Sequence, residues 1–290
     1  MTPEIVADRP DLLGEGPLWH AGEQALYRVD YLRGELLRFD PATGRDETIY
    51  GGPKVSGFTL QADGALLLLA EGARVLRWKD GVATVLVDGF PGSAGMHFND
   101  CVADPRGRVF TGTVPDDPDH YAAGVGRLVR IDRDAGVIPL VEGIGISNGL
   151  AFSPAADRLY FTDTLSCRID VFDYEADAGT LSNRRLFVDL ASGPGRPDGL
   201  AVDREGHVWS ARWDGSAVYR YAPDGREVGR IEFAAKKITS VAFGGSALAE
   251  LYVTSAGGDD RANEGAAAGA LFRLASGTQG CPRAFSRIGI

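Results

Sequence analysis

The chain has 290 residues, 44% hydrophobic and 24% charged, enough for one large domain with a full core. Its net charge of −10 opposes binding to phosphate backbones, and no run approaches the roughly 18 apolar residues of a membrane helix. The 39 glycines, about twice ordinary usage and without a collagen period, call for many tight turns and hence many short strands.

The N-terminal stretch "MTPEIVADRPDLLGEG" has neither the basic nor the apolar region of a secretory signal. From there the chain repeats itself. Polar-then-apolar strand starts occur in "GEGPLWH" at Glu15, "SGFTLQADG" at Gly57, "FNDCVADPRG" at Asn99, "SNGLAFSPAAD" at Asn148, "PDGLAVDREG" at Asp198 and "TSVAFGGSAL" at Ser240, spaced by 42, 42, 49, 50 and 42 residues. Each start is followed by a turn and a second strand, as in "ADPRGRVFTGT", "SPAADRLYFTDT" and "VDREGHVWSAR". Alternating apolar and polar residues mark these segments as β. Third strands are expected at 126–132, 168–175 and 217–223, and fourth strands at 184–190 and 227–233. A period of this length with four short strands per unit predicts an all-β fold, a six-bladed β-propeller of four-stranded antiparallel blades filling 1–290 as one domain. Residues 3–9 precede the first inner strand and belong to no unit. They are expected to pair as the outermost strand of the last blade, tying the termini together and covering an edge.

Several conspicuous residues read as structural. His20 and His207 lie beside expected turns and read as surface residues. The segment 114–126, "VPDDPDHYAAGVG", reads as a surface loop with the alternative of a lid. Cys101, Cys167 and Cys281 are odd in number and far apart, so they form neither a disulfide framework nor a CxxC metal site. They fit free thiols in a reducing cytoplasm. The sequence has no Walker loop and no GxSxG elbow.

In a propeller the first strand of each blade lines the central channel. The residue before its apolar run is therefore expected near one mouth. Glu15, Asn99, Asn148 and Asp198 hold that place in four blades, whereas the blades at Gly57 and Ser240 carry no such ligand. Two carboxylates and two amides brought to one point would make a hard-oxygen site for a divalent cation.

"LGEGPLWH", "FND", "SNGLAFSP" and "PDGLAVD" resemble the signature stretches of the senescence-marker-protein, gluconolactonase and luciferin-regenerating-enzyme family, which includes regucalcin. The resemblance covers nearly the whole chain. It implies a six-bladed propeller with one divalent metal in the channel and hydrolysis of a sugar lactone. Glu15, Asn148 and Asp198 would be the metal ligands, with Asp198 also the general base. Asn99 would lie at the metal or its water and touch substrate. Two positions depart from the family pattern. His97 stands where animal members carry a sugar-holding arginine; two residues before Asn99 on an extended segment, it shares Asn99's face and is expected to orient substrate. Arg28 stands where relatives often have Trp and reads as a solvated strand position.

The metal could be Ca²⁺, Zn²⁺, Mn²⁺, Mg²⁺ or Fe²⁺. Two other functions use the same apparatus: a phosphotriesterase-like hydrolase, and a non-enzymatic calcium- or protein-binding propeller. The expected partner is a small sugar lactone, with no nucleic acid and no membrane.

Overall fold

A computed structural model describes residues 2–122 and 124–290. These residues form six four-stranded antiparallel sheets, five of them built from four consecutive strands in chain order. The blades span 14–51, 55–88, 96–144, 147–189, 196–232 and 238–275. The strand Glu4–Ala7 completes the sixth by pairing antiparallel with Leu271–Ala275. These are the blades of a six-bladed β-propeller, with the N-terminal strand closing the last one as the sequence predicts.

Two compact units comprise three blades each. Residues 1–54 and 192–282 form one, and 55–191 with 283–290 form the other. Within a blade, burial falls outward. In the second blade Leu66–Ala70 is buried throughout, whereas the fourth strand, Val82–Asp88, is largely exposed. The inner strands consequently read as apolar runs, and the outer ones carry charge.

The Asp-Pro-Gly turns work through one carboxylate. In the third blade Asp104 Oδ1 accepts from the backbone N–H groups of Arg106 and Arg108, and Oδ2 accepts from Arg108 Nε and the Tyr174 hydroxyl. Gly107 supplies the positive φ of 87° that closes this turn. The third and fourth blades share an apolar cluster containing Phe110, Leu150, Phe161 and Phe172. The fifth and sixth share one containing Trp209, Val241, Phe243 and Phe272.

Arg28 corrects the sequence reading. Its side chain is fully buried, with Nε 2.8 Å from Asp11 Oδ2 and the two terminal nitrogens on the two oxygens of Asp46 at 2.7 and 2.8 Å. A guanidinium can be buried when a forked pair of carboxylates meets its planar donors. Those partners lie 17 and 18 residues away in sequence, outside any strand-local pattern.

The C-terminal residues 283–290 had no place in the repeat. Ser286 forms a parallel bridge to Gln61, and Gln61 exchanges side-chain bonds with both backbone groups of Ile288. Ile288 is buried in the cluster that holds Phe98, Val109 and Val129.

Candidate functional site

Every inner strand carries a bulge near its start. The pairing with the second strand slips by one residue between Phe98 and Cys101, Ser147 and Leu150, Pro197 and Leu200, and Glu15 and Leu18. The other two blades slip between Val55 and Gly57 and between Ile238 and Ser240. A bulge frees a residue from the ladder and re-aims its side chain.

Asn99, Asn148 and Asp198 are each the first residue inside this slip. Glu15 is not. It still pairs with Val29, and Gly16, with φ 54°, takes the bulge position. The sequence alignment, which set all four in one register, is therefore offset by one residue in the first blade. Glu is one methylene longer than Asp, which suits the earlier position.

The amides are oriented by their own neighbours. Asn99 Nδ2 donates to the Ser147 carbonyl at 2.8 Å. A carbonyl only accepts, so the orientation of this amide is forced and Oδ1 lies at its other end. Asn148 is buried, and its Nδ2 donates to Thr164 Oγ1 at 3.3 Å. Asp198 is 2% exposed. Glu15 is half-buried, and its Oε2 accepts from Gly16 N–H at 3.2 Å.

Adjacent strand heads are stitched together within each unit. In one unit Ser56 Oγ donates to the Phe98 carbonyl, and Asn99 reaches Ser147. A Cβ on Gly57 would lie 2.8 Å from the Asn99 carbonyl oxygen. In the other unit Gly199 packs so closely on Ser240 that a Cβ would sit 2.1 Å from its Oγ. Next to it, Thr239 Oγ1 donates to the Gly14 carbonyl at 2.5 Å. Ser56 and Thr239 thus fill, in the two blades without a carboxylate or amide, the place those groups hold elsewhere. The sequence signal for this was the hydroxyl one residue before each aligned position, Ser56 in "VSGFT" and Thr239 in "ITSVA".

His97 is buried on the strand Met96–Ala103, paired with Val114, and its Nδ1 lies 3.1 Å from Asp116 Oδ1. It stands in the regular ladder, whereas Asn99 stands in the bulge, so simple alternation does not relate the two side chains. In the segment 114–126, Val114 and Pro115 end a strand, Pro118–His120 is a single 3-10 turn and Gly126 begins the next strand; residue 123 lies outside the described residues. Asp100, the residue after Asn99, is pushed up to about 6 by burial, against the pull of backbone N–H bonds and Arg283.

A second group of polar atoms has another use. Asp203, Glu205 and His207 place ligand atoms within 4.8 Å of one another. His207 is partly buried there rather than on the open surface. Arg220 Nη2 already lies 2.8 Å from Asp203 Oδ2, 3.3 Å from Glu205 Oε2 and 3.1 Å from His207 Nδ1. Asp203 also binds the turn N–H groups of Glu205 and His207, as Asp104 does in the third blade. The group is turn chemistry neutralised by a guanidinium, and a cation there would meet a positive charge.

In one unit Glu15 and Asp198 carry carboxylate oxygens, and in the other Asn99 and Asn148 carry amide carbonyl oxygens. Oxygen donors of these kinds suit a hard divalent cation better than a soft one.

The family model for the SMP-30/Gluconolactonase/LRE-like region matches residues 13–257. The chain is 44% identical to pentonolactonase XacC of Haloferax volcanii, with 97% of each chain covered. It is 34% identical to a 6-deoxy-6-sulfogluconolactonase of Pseudomonas putida, again over 97% of both. Among solved structures it is similar to a luciferin-regenerating enzyme, with a TM-score of 0.90, 28% identity and 99% of each chain covered. With a matched region spanning most of the chain and full-length relatives that are named lactonases, the protein belongs to the SMP-30/gluconolactonase/LRE family.

Proposed function

We propose that the protein, acting as one propeller domain over 1–290, is a metal-dependent hydrolase that opens a sugar lactone to its hydroxy acid. The observation that carries this reading is the shared bulge. Three blades present Asn99, Asn148 and Asp198 at one register, and a fourth presents Glu15 one residue earlier. Glu15, Asn148 and Asp198 would hold the cation, and their donor type admits Ca²⁺, Zn²⁺, Mn²⁺, Mg²⁺ or Fe²⁺. The names of the full-length relatives support the lactone as substrate.

A divalent cation in this donor set supplies Lewis-acid polarisation and a counter-charge for a developing oxyanion. The chain's own residues do the rest. Asp198 is the general base: its carboxylate takes the proton of the attacking water as the new C–O bond forms at the lactone carbonyl carbon. The ring C–O bond then breaks, and the alkoxide leaves as a hydroxyl with a proton returned to it. Asn99, its amide nitrogen held by the Ser147 carbonyl, offers Oδ1 to a substrate hydroxyl or to the attacking water. His97 orients the sugar. The three free cysteines support a cytoplasmic setting, and among the described residues no helix is long and apolar enough to cross a membrane.

The test is a panel of sugar lactones assayed against each metal after chelator stripping, with acid release followed by a pH indicator. Turnover of one or more aldonolactones is expected, and aryl-phosphate triesters should react more slowly. Faster cleavage of the triesters would overturn the lactone assignment. Calcium binding with no turnover under any metal would leave a binding protein instead.

A further inference from the structure

Asn99 is not alone in reaching from the third blade to the fourth. The carboxylate of Asp100, the next residue, accepts from Cys101 N–H at 2.7 Å through Oδ1, and it also accepts from the backbone N–H of Leu150. The Asp100 carbonyl in turn accepts from Thr111 Oγ1 at 2.9 Å, on the next strand of its own blade. Asp100 is thus anchored on the third blade while its carboxylate bonds to the fourth. Arg283 acts on this carboxylate as a counter-charge. All of these residues belong to one compact unit.

The two bonds to the fourth blade land at the two ends of one bulge. Ser147 pairs with Asp163 and Leu150 with Phe161, and the slip between them falls at Asn148 and Gly149. Asn99 Nδ2 donates to the Ser147 carbonyl, and the Asp100 carboxylate takes the Leu150 N–H. The strand Ser147–Phe152 is the end strand of its sheet. An end strand turns alternate backbone groups away from its ladder, and a bulge loosens the pairing that remains. Gly149 has no side chain to pack the slip in place. Bonds from the neighbouring blade supply what the ladder lacks there.

We infer that Asp100 is a positioning residue: with Asn99 it brackets the 147–150 bulge and so sets where Asn148 presents its Oδ1. The Asn148 amide nitrogen is already directed to Thr164 Oγ1, so the backbone position decides where the oxygen at the other end of the amide lies. The inference rests on the reading of Asn148 as a metal ligand. It adds to that reading a carboxylate that acts through the backbone of the next blade.

The experiment uses the full chain and four variants: Asp100→Ala, Asp100→Asn, Asn148→Ala and Val129→Ala. In metal-stripped protein the Leu150 backbone amide and the Asn148 side-chain amide are followed by ¹⁵N NMR, the second assigned by its loss in Asn148→Ala. Mn²⁺ affinity is then measured by titration calorimetry. Asp100→Ala should move both signals and weaken Mn²⁺ binding by about tenfold to hundredfold, the range for a residue that orients a metal ligand. Asp100→Asn keeps one acceptor oxygen and should lie between Ala and wild type in both readouts; it carries the test if Ala does not fold. Val129 is buried in the core of the third blade. Val129→Ala should lower the melting temperature yet leave both signals and the Mn²⁺ affinity at wild-type values, which separates positioning from loss of stability.

Unmoved Leu150 and Asn148 signals in the Asp100 variants would overturn the bracket. A moved Leu150 signal with the Asn148 signal and Mn²⁺ affinity unchanged would overturn the positioning of Asn148. If Asn148→Ala binds Mn²⁺ as well as wild type does, the reading of Asn148 as a metal ligand fails, and the consequence of Asp100 for the metal fails with it. The signals in stripped protein distinguish that case, since they would still follow Asp100.

Discussion

The Asn99 side chain donates to the Ser147 carbonyl at 2.8 Å, one residue before Asn148. One bond therefore connects the bulges of two neighbouring blades and orients an amide on one of them. Asn99→Ala removes both the stitch and the Oδ1 acceptor. It should lower kcat/KM by about tenfold or more while costing roughly 0.5–1.5 kcal/mol of stability. Asn99→Asp keeps the acceptor but sets a carboxylate oxygen against a carbonyl oxygen, and should be the less stable of the two. Urea midpoints and lactone kinetics on both variants check this; equal stability of Asp and Ala would show that the stitch carries no weight.

Gly199 lies in the Asp198 bulge against Ser240. An added Cβ would meet Ser240 Oγ at 2.1 Å, its Cβ at 2.5 Å and its Cα at 2.8 Å. The last is backbone and cannot swing aside. Gly199→Ala should destabilise by about 1–3 kcal/mol, and because the strain falls beside Asp198 it should lower activity as well. Ser240→Gly should relieve only part of this. A wild-type melting temperature for Gly199→Ala would contradict the close approach of these two strand heads.

Burial of Asp11 gives a pH signature. Burial is the largest influence and pushes its carboxyl up from 3.8 to about 6, while Arg28 and Arg9 pull it down and Asp30 adds to the rise. The folded state then holds a proton that the unfolded chain has released, so stability falls as pH rises from about 4 through 6. A shift of this size corresponds to about 3 kcal/mol at most. Asp11→Asn cannot titrate and is spared this loss. Its stability relative to wild type should improve between pH 4 and pH 7 by about 1–3 kcal/mol, measured by urea unfolding. A relative stability that worsens over that range would mean that Arg28 outweighs burial.

Removal of the cation should abolish turnover, and its return should restore it at a rate that depends on the metal. A ligand held only by the folded state also stabilises it, by RT ln(1 + [L]/Kd). The melting temperature should therefore fall on stripping and recover in parallel with activity. Full activity in protein shown by elemental analysis to lack metal would exclude this chemistry.

The blade pattern was legible because each inner strand repeats the same polar-then-apolar start. The strand Arg168–Glu175 falls on the expected 168–175, and Glu4–Ala7 closes the sixth blade from within the expected 3–9. What a one-dimensional pattern could not carry was side-chain geometry between segments. Arg28 looks like one more polar residue on an alternating strand, yet Asp11 and Asp46 bury it. His207 looks like a turn residue and is one, but Arg220 holds it from a neighbouring strand. The bulge displaces Glu15 by one residue from the register of Asn99, Asn148 and Asp198, and the sequence could not show this because a bulge is a property of the pair of strands. Asp116 lay in a loop with four other polar or aromatic residues, and only the hairpin register singles it out beside His97.

The most direct measurement is the metal content and lactone turnover of Asp198→Asn and Glu15→Gln, each purified, shown to be folded by circular dichroism, and analysed for metal per chain alongside wild type. Each substitution neutralises one of the two proposed metal carboxylates and leaves the strand behind it unchanged. Both variants should keep the fold, lose most of the bound metal or bind it much more weakly, and retain a few per cent or less of wild-type turnover. Near wild-type turnover with metal still bound in either variant would show that the oxygens at these strand heads are not the site.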